Sequence, residues 1–217
     1  MQPLFFPPPS EATPDGLVAV GGHLSPEWLL DAYRHGIFPW PVYDDEPMLW
    51  WSPDPRAILP LNDMKISRRL RRTLRSGKFQ VTCNQAFAQV LTGCATGPGR
   101  EDGTWLTQQM LDAYTIMHQL GHAHSFETWY QDQLVGGVYG IAIGGFFAAE
   151  SMFYRQRDAS KVALASLVDH LNRRGYQLLD VQQWTPHTGR LGVIEISRDD
   201  YLDRLAAAVR LPVTFVP

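Results

Sequence analysis

The chain has 217 residues, 45% of them hydrophobic and 19% charged, with 19 basic against 22 acidic side chains for a net charge of -3. That length suits one large domain or a domain with a smaller appendage, and it is enough to bury a core. No apolar run approaches the ~18–20 residues of a membrane span, and the start, MQPLFFPPPS, lacks the basic and apolar regions of a secretory signal, so a soluble cytoplasmic protein without membrane partners is expected.

The first 60 residues hold 12 of the 16 prolines and four of the seven tryptophans. Proline fixes φ and removes a backbone donor, so this stretch should form an irregular layer pinned by aromatic rings. One clear helix is expected within it, Ser25–His35. Ser25 stands at its N-cap, Pro26 in its first turn, Trp28, Leu29, Ala32 and Tyr33 on its inner side, and Gly36 at its stop. From about Asp63 the sequence becomes regular, which divides the chain into an N-terminal Pro/Trp-rich domain, residues 1–62, and a C-terminal domain, residues 63–217.

Ser67–Ser76 reads as a helix whose narrow apolar stripe is Leu70 and Leu74. Lys65, Arg68, Arg69, Arg71, Arg72, Arg75 and Lys78 lie between Met64 and Lys78 with no acid among them, so this segment carries +7 and the remaining chain -10. The net charge alone argues against a nucleic-acid partner, whereas this segregation creates a local positive field on an acidic body. A solvated helix face is the plainer explanation of such a run taken by itself. Helices are expected next at Asn84–Ala95, capped by Asn84, and at Thr107–Leu120, with the glycine-rich loop 96–103 between them. Cys83 and Cys94, in apolar surroundings, read as small buried hydrophobes of a reducing compartment.

The period then changes. Ala123–Tyr130, Leu134–Ile143 and Phe146–Met152 form an antiparallel meander, turning at Asp132-Gln133 and Gly144-Gly145. A long helix follows over Ala159–Arg174, with Asp158 as its cap and Gly175 at its end. A short strand, Gln177–Val181, and a closing helix, Ser197–Arg210, complete the regular structure. Strands, then helix, then strand predict an α+β fold with a mixed sheet.

Several chemical devices are missing: the chain has no G-x-S-x-G elbow, no G-x-x-x-x-G-K-[ST] loop and no G-x-G-x-x-G run. His118, His122 and His124 sit close together, but no Glu occupies an H-E-x-x-H position and Gly121 separates His124 from the helix. Capping and packing histidines are the expectation, with no metal. Glu150 is harder to explain as scaffolding, because it lies inside the apolar strand end FFAAESMF, where an unpaired carboxylate is costly. Asp180 and Gln182 end the strand LLDVQ at i, i+2 spacing, on one face. Three polar groups ending neighbouring strands point to a site.

The segments PDGLVAVGGHLSP, AYRHGIFPWP, LWWSPDPRAILP, GTWLT, LGHAHSFETW, LVGGVYGIAIG, FFAAESMF, DASKVALASLVDHL and LLDVQ, in this order and spacing, closely resemble leucyl/phenylalanyl-tRNA–protein transferases, from about Phe6 to Leu205. The resemblance implies a small N-terminal domain and a C-terminal domain similar to the N-acetyltransferase (GNAT-like) fold. It implies transfer of Leu or Phe, and Met less well, from aminoacyl-tRNA to proteins with N-terminal Arg or Lys, marking them for degradation by the N-degron route. No cofactor is implied, because the tRNA ester is already activated. The family's key polar residues fall on Glu150, Asp180 and Gln182, and the tryptophans of its adenosine site on Trp40 and Trp105. Against the usual pattern, Ala149 stands where Gly precedes the Glu, Val181 where Cys is usual and His23 where Asp is common; Ala149 narrows the room for the transferred amino acid.

Under this reading Glu150 receives the acceptor's basic side chain, Gln182 accepts a hydrogen bond from the attacking amine, and Asp180 polarises that arrangement, with Asp180, water or the ribose hydroxyl as the final proton acceptor. Phe147, Met152, Leu164, Leu167 and Leu179 are expected to converge on the transferred side chain, and Lys65, Arg68, Arg69, Arg71, Arg72 and Arg75 to meet tRNA phosphates. Two other readings compete. One is a coenzyme-A-dependent acyltransferase of the same fold, against which no Q/R-x-x-G-x-G/A run leads into Ala159–Arg174. The other is a non-catalytic RNA-binding module built from Met64–Lys78 and the tryptophans.

Overall fold

The computed structural model describes residues 2–41, 47–97 and 106–216. Its N-terminal part is a small antiparallel sheet, in the order β1 (Leu17–Val20), β3 (Leu49–Trp51), β2 (Phe38–Pro39), with helix α1 (Pro26–Arg34) beside it. Pro26 occupies the first turn of α1, as expected, and Gly36 follows with φ +77°, which lets the chain reverse at once into β2. Asp31 of α1 is buried and accepts hydrogen bonds from the backbone of Leu4 (2.8 Å) and Phe5 (3.0 Å). These bonds tie down the proline-rich start, whose Phe5 stacks on Trp28 at 4.9 Å while Phe6 packs on Trp50 at 4.7 Å.

The chain leaves this sheet after Trp51 and enters a larger one with β4 (Arg56–Ile58). Strand β4 precedes the 62/63 boundary expected from composition, yet it lies deep in the larger sheet. Next come α2 (Arg68–Arg75), β5 (Gln80–Cys83), α3 (Phe87–Thr96) and α4 (Gln108–Gln119). The meander β6 (Ala123–Tyr130), β7 (Gln133–Ile143) and β8 (Phe146–Tyr154) follows, then α5 (Ala159–Arg174), β9 (Leu178–Gln182), the short α6 (Pro186–Gly189), β10 (Ile194–Ile196) and α7 (Arg198–Ala208). The seven strands run β10-β4-β9-β8-β7-β6-β5, antiparallel throughout except for the parallel pair β8–β9 that α5 connects. This is the mixed sheet of the expected α+β class. Among the described residues no helix is long and apolar enough to cross a membrane.

Both faces of the sheet are covered, so its central strands are apolar on both sides. Along β8 and β9 successive side chains alternate between two cores: Phe146, Ala148 and Leu178 face one, Phe147 and Leu179 the other. The first core is shared with Leu29, Tyr33 and Trp50 of the N-terminal layer and with α3, α4 and α7, whereas α5 closes the second. Each fully buried Leu or Phe contributes about 1.5–3 kcal/mol, so the N-terminal layer is welded to the sheet by burial rather than by its short strands.

Local details depart from expectation at several places, and Ser25, though at the N-cap of α1, makes no side-chain capping bond. Asn84 does not cap α3, which begins at Phe87. With φ +57° its side chain turns to β6 instead, where it accepts from Ser125 N (2.9 Å) and meets His124 Nδ1 (2.9 Å). Asp158, at φ +71°, makes no capping bond, and its carboxylate instead pairs with Arg69 at 2.9 Å. Leu74 is 37% exposed, so Leu70 is the one buried residue of α2. The first meander turn is Gln131-Asp132, both left-handed (φ 50° and 59°) as a two-residue type I′ hairpin requires, one position earlier than predicted. Thr107 and Ser197 do cap their helices, accepting from Met110 N (3.2 Å) and Asp200 N (3.1 Å). His118 stacks on Phe87 (4.1 Å) and His124 on Phe215 (4.0 Å), in the packing roles expected for both.

Candidate functional site

Strands β8 and β9 pair only through Phe146–Ala148 against Leu178–Asp180. At the point where they part, each carries a bulge against its other neighbour. Glu150 is the extra residue between the pairs Gly140↔Ala149 and Tyr139↔Ser151, and Val181 is extra between Ile58↔Asp180 and Ala57↔Gln182. Bulges bend a strand and re-aim its side chains, and these two open a fork between β8 and β9. Gly140, opposite the first bulge, is needed there, because a Cβ would strike the Ala148 carbonyl oxygen and the Phe147 ring. A cavity of about 340 Å³ fills the fork; Glu150 and Gln182 face it, and Trp40, Met152, Leu164 and Val193 are among its apolar walls.

Asp180 lies behind the cavity, fully buried, and its carboxylate is saturated. It accepts from Arg56 Nε (2.9 Å) and Nη2 (2.6 Å), from Tyr201 OH (2.9 Å) and from the backbone N–H of Gln182 (2.9 Å). Arg56 is itself buried. Its Nη1 donates to the Gly36 carbonyl at 2.9 Å, and its guanidinium lies against the rings of Phe38 (4.7 Å) and Tyr201 (4.5 Å). A bidentate pair of this kind fixes geometry as well as charge. Burial works against the charge of Arg56, but the Asp180 carboxylate more than offsets it and holds the guanidinium above its ordinary pKa.

Through that backbone bond the clamp sets the conformation of Gln182, which sits at φ +59° at the end of β9. A left-handed non-glycine residue costs about 1–3 kcal/mol and persists only where its surroundings over-determine it. The Gln182 amide nitrogen donates to Glu150 Oε1 at 3.1 Å, so its oxygen is the acceptor left to the cavity. Glu150 Oε2 accepts from Tyr114 OH at 3.0 Å, and the Tyr33 and Tyr114 hydroxyls are 2.7 Å apart. Burial pushes the Glu150 carboxyl up to about 8, only partly countered by the two tyrosines. The arrangement offers an acceptor for an N–H group beside a carboxyl group poised to ionise when a cation arrives.

The structure therefore gathers Glu150 and Gln182 at one cavity with Asp180 behind them. Of the five residues expected to form the side-chain pocket, Met152 and Leu164 line the cavity; Phe147, Leu167 and Leu179 are packed in the core beneath it. Phe147 and Leu179 face the α5 side of the sheet and Leu167 comes from α5 itself, all below the point where β8 and β9 separate. Trp40 lines the cavity and also an adjoining recess; Trp105 lies outside the described residues. Lys65, Arg68, Arg71, Arg72 and Arg75 are exposed around α2, and Arg69 is engaged by Asp158. Sequence reasoning missed Arg56, Tyr114 and Tyr201. The signal for Arg56 was present, since an arginine that leads directly into the apolar run AILP is unlike a solvated one.

A family model described as leucyl/phenylalanyl-tRNA protein transferase matches residues 58–206, and one described as the N-terminal domain of that transferase matches residues 22–54. A leucyl/phenylalanyl-tRNA–protein transferase of Solidesulfovibrio magneticus is 53% identical over 205 residues, covering 94% of this chain and 82% of its own length. One of Syntrophotalea carbinolica is 50% identical over 215 residues, covering 99% and 93%. Among solved structures, a GCN5-related N-acetyltransferase from Kribbella flavida aligns at TM-score 0.42 and 12% identity over 79% of this chain and 61% of its own. The fold is defined by its own strand order.

Proposed function

The chain belongs to the leucyl/phenylalanyl-tRNA protein transferase family, and we propose that it moves Leu or Phe, and Met less well, from aminoacyl-tRNA to the N-terminal Arg or Lys of acceptor proteins, marking them for degradation by the N-degron route in the cytoplasm. It is an aminoacyltransferase, and the finer assignment rests on one observation above the others. Glu150 and Gln182 meet at 3.1 Å over an apolar cavity, so one end of the site suits a cation, the middle an amine and the remainder an uncharged side chain.

The acceptor's α-amine has an ordinary pKa near ~8 and attacks only as the free base. The acceptor's guanidinium or ammonium enters beside Glu150, which ionises and pairs with it. The amine then donates a hydrogen bond to the Gln182 amide oxygen, which aims its lone pair at the ester carbonyl of the terminal adenosine. Orienting two reactants in this way contributes roughly 7–11 kcal/mol. A C–N bond forms, the C–O bond to the ribose breaks, and the proton lost by the amine leaves with the ribose oxygen. Asp180 never touches the substrate in this scheme. It is a positioning residue that holds Gln182 through its backbone, anchored in turn by Arg56 and Tyr201.

Trp40 supports one face of the adenine, and Trp105 is assigned to the other on the family resemblance. The cavity accepts Leu, Phe and Met because flexible Met152 adapts to several shapes, and it discriminates one methylene by only ~1–3 kcal/mol. The basic surface of α2 meets the tRNA backbone. The test is labelled leucyl-tRNA with peptides beginning in Arg, Lys or Ala. Label should pass to the first two and not the third, and transfer to all three alike would overturn the reading.

A further inference from the structure

Beside the main cavity lies a recess of about 190 Å³ lined by Asp15, Trp40, Trp51, Pro53 and Gln183. Trp40 and Gln183 also line the main cavity, so the two adjoin. Its walls are rigidly built. Trp51 lies on β3 and its indole nitrogen donates to the Trp40 carbonyl at 3.1 Å, which fixes the plane of the ring. Asp15 sits in a tight turn, with Gly16 N bonded to the Thr13 carbonyl (2.8 Å) and Thr13 N to that of Leu17 (2.9 Å). Gly16 presses against Pro53 so closely that a Cβ would come within 2.7 Å of its Cα. The Thr13 hydroxyl donates to Asp15 Oδ1, and Oδ2 meets no protein donor among the described residues.

We infer that this recess holds the base of the nucleotide preceding the donor's terminal adenosine, which is a cytosine in every mature tRNA. The assignment rests on the reading above, in which Trp40 supports that adenosine, so the next nucleotide along the strand reaches the space on the other side of Trp40. A flat indole and a proline ring suit a planar base, and such stacking accommodates any base. Asp15 adds the selectivity. A carboxylate accepts from the exocyclic amino group of cytosine but is repelled by the O4 carbonyl of uracil. The same negative charge disfavours a phosphate in the recess, which leaves the phosphodiester on the solvent side. A cationic side chain further along the acceptor peptide is the competing occupant. The two indoles and the proline favour the planar base.

The test compares minimal donors: leucyl-adenosine, and leucyl esters of the dinucleotides CpA and UpA, each with an Arg-starting peptide. The wild-type protein should use the CpA donor better than leucyl-adenosine by roughly 5- to 150-fold in kcat/KM, the range for one base stacked on an aromatic side chain. It should also prefer CpA to UpA. Trp51→Leu should bring the CpA-to-adenosine ratio toward one, and Trp51→Phe should retain part of it. Asp15→Ala, at an exposed position where folding is not at stake, should erase the CpA-to-UpA preference. Asp15→Asn, whose amide can turn its donor toward uracil, should do the same. A wild-type ratio near one, or variants that lower all donors equally, overturns the inference. So does an effect of Trp51→Leu or Asp15→Ala confined to the KM of the peptide, which would give the recess to the acceptor. Failure of the wild-type protein to transfer from any of the three donors would instead overturn the underlying reading, and this inference with it.

Discussion

Replacing Arg56 by Met keeps the apolar stem of the side chain but removes both of its bonds to Asp180 and the bond to the Gly36 carbonyl. Asp180 would remain fully buried, with only Tyr201 OH and Gln182 N as donors. Deleting one partner of a buried pair costs about 3–5 kcal/mol, because the other charge is left uncompensated. For a chain of this length each kcal/mol moves the melting temperature by roughly 2–4 °C, so a fall of roughly 6–20 °C is expected by circular dichroism or calorimetry. The double variant Arg56→Met/Asp180→Asn should regain part of that loss, since the remaining side chain carries no charge, yet regain little activity. A shift in Arg56→Met below about 2 °C, less than one kcal/mol, would show that the clamp contributes little to the fold.

Further outcomes follow from the same geometry. Gln182→Gly relieves a left-handed backbone and should leave stability unchanged or raise it by about 1 kcal/mol, while transfer falls sharply; loss of both together would make Gln182 a structural residue. With Glu150 pushed up to about 8 from 4.5, the stability supplied by its protonated form is complete below pH 4.5 and is lost as pH rises through about 8. Wild-type stability should therefore fall across that window more than that of Glu150→Gln. Binding of an Arg-starting peptide near neutral pH should release a proton, read by titration calorimetry in buffers of different ionisation enthalpy, and Glu150→Gln should abolish the release. Because Arg68, Arg71 and Arg72 are exposed, while Leu70 and the Arg69–Asp158 pair hold α2 in place, Arg68→Ala/Arg71→Ala/Arg72→Ala should leave the fold intact. It should reduce the salt slope of tRNA binding by roughly 0.7–0.9 for each phosphate no longer neutralised, and an unchanged slope would make the run a solvated face.

Much of the C-terminal part was legible because period and punctuation agree there. The meander, the helix Ala159–Arg174 and the strand LLDVQ all stand within a few residues of expectation. The N-terminal strands were not legible, because strands of two to four residues leave no periodic signal and owe their order to packing against Trp50 and the sheet. Asp158 stands at the N-cap of α5, but the side-chain capping bonds expected of Asn84 and Asp158 are absent for a common reason. Both residues are left-handed, and long-range partners, β6 and Arg69, claimed side chains that local sequence had assigned to the nearest helix. Glu150, Asp180 and Gln182 were visible as polar groups in apolar strands, but the saturation of Asp180 was not. That depends on Arg56, 124 residues away in sequence, and on two bulges that no spacing rule reveals.

Central to the proposed mechanism, Glu150 reads the acceptor's basic side chain in the fork between β8 and β9 while Gln182 aims its amine. The most direct measurement compares transfer to peptides beginning with Arg and with citrulline, which keeps the shape of arginine and loses its charge. The wild-type protein should favour Arg by at least about 30-fold in kcat/KM, the equivalent of ~2 kcal/mol for a buried charge pair. Glu150→Gln should bring the ratio close to one, chiefly through KM for the Arg peptide. Equal use of both peptides by the wild-type protein, or an undiminished preference for Arg in Glu150→Gln, would contradict the claim.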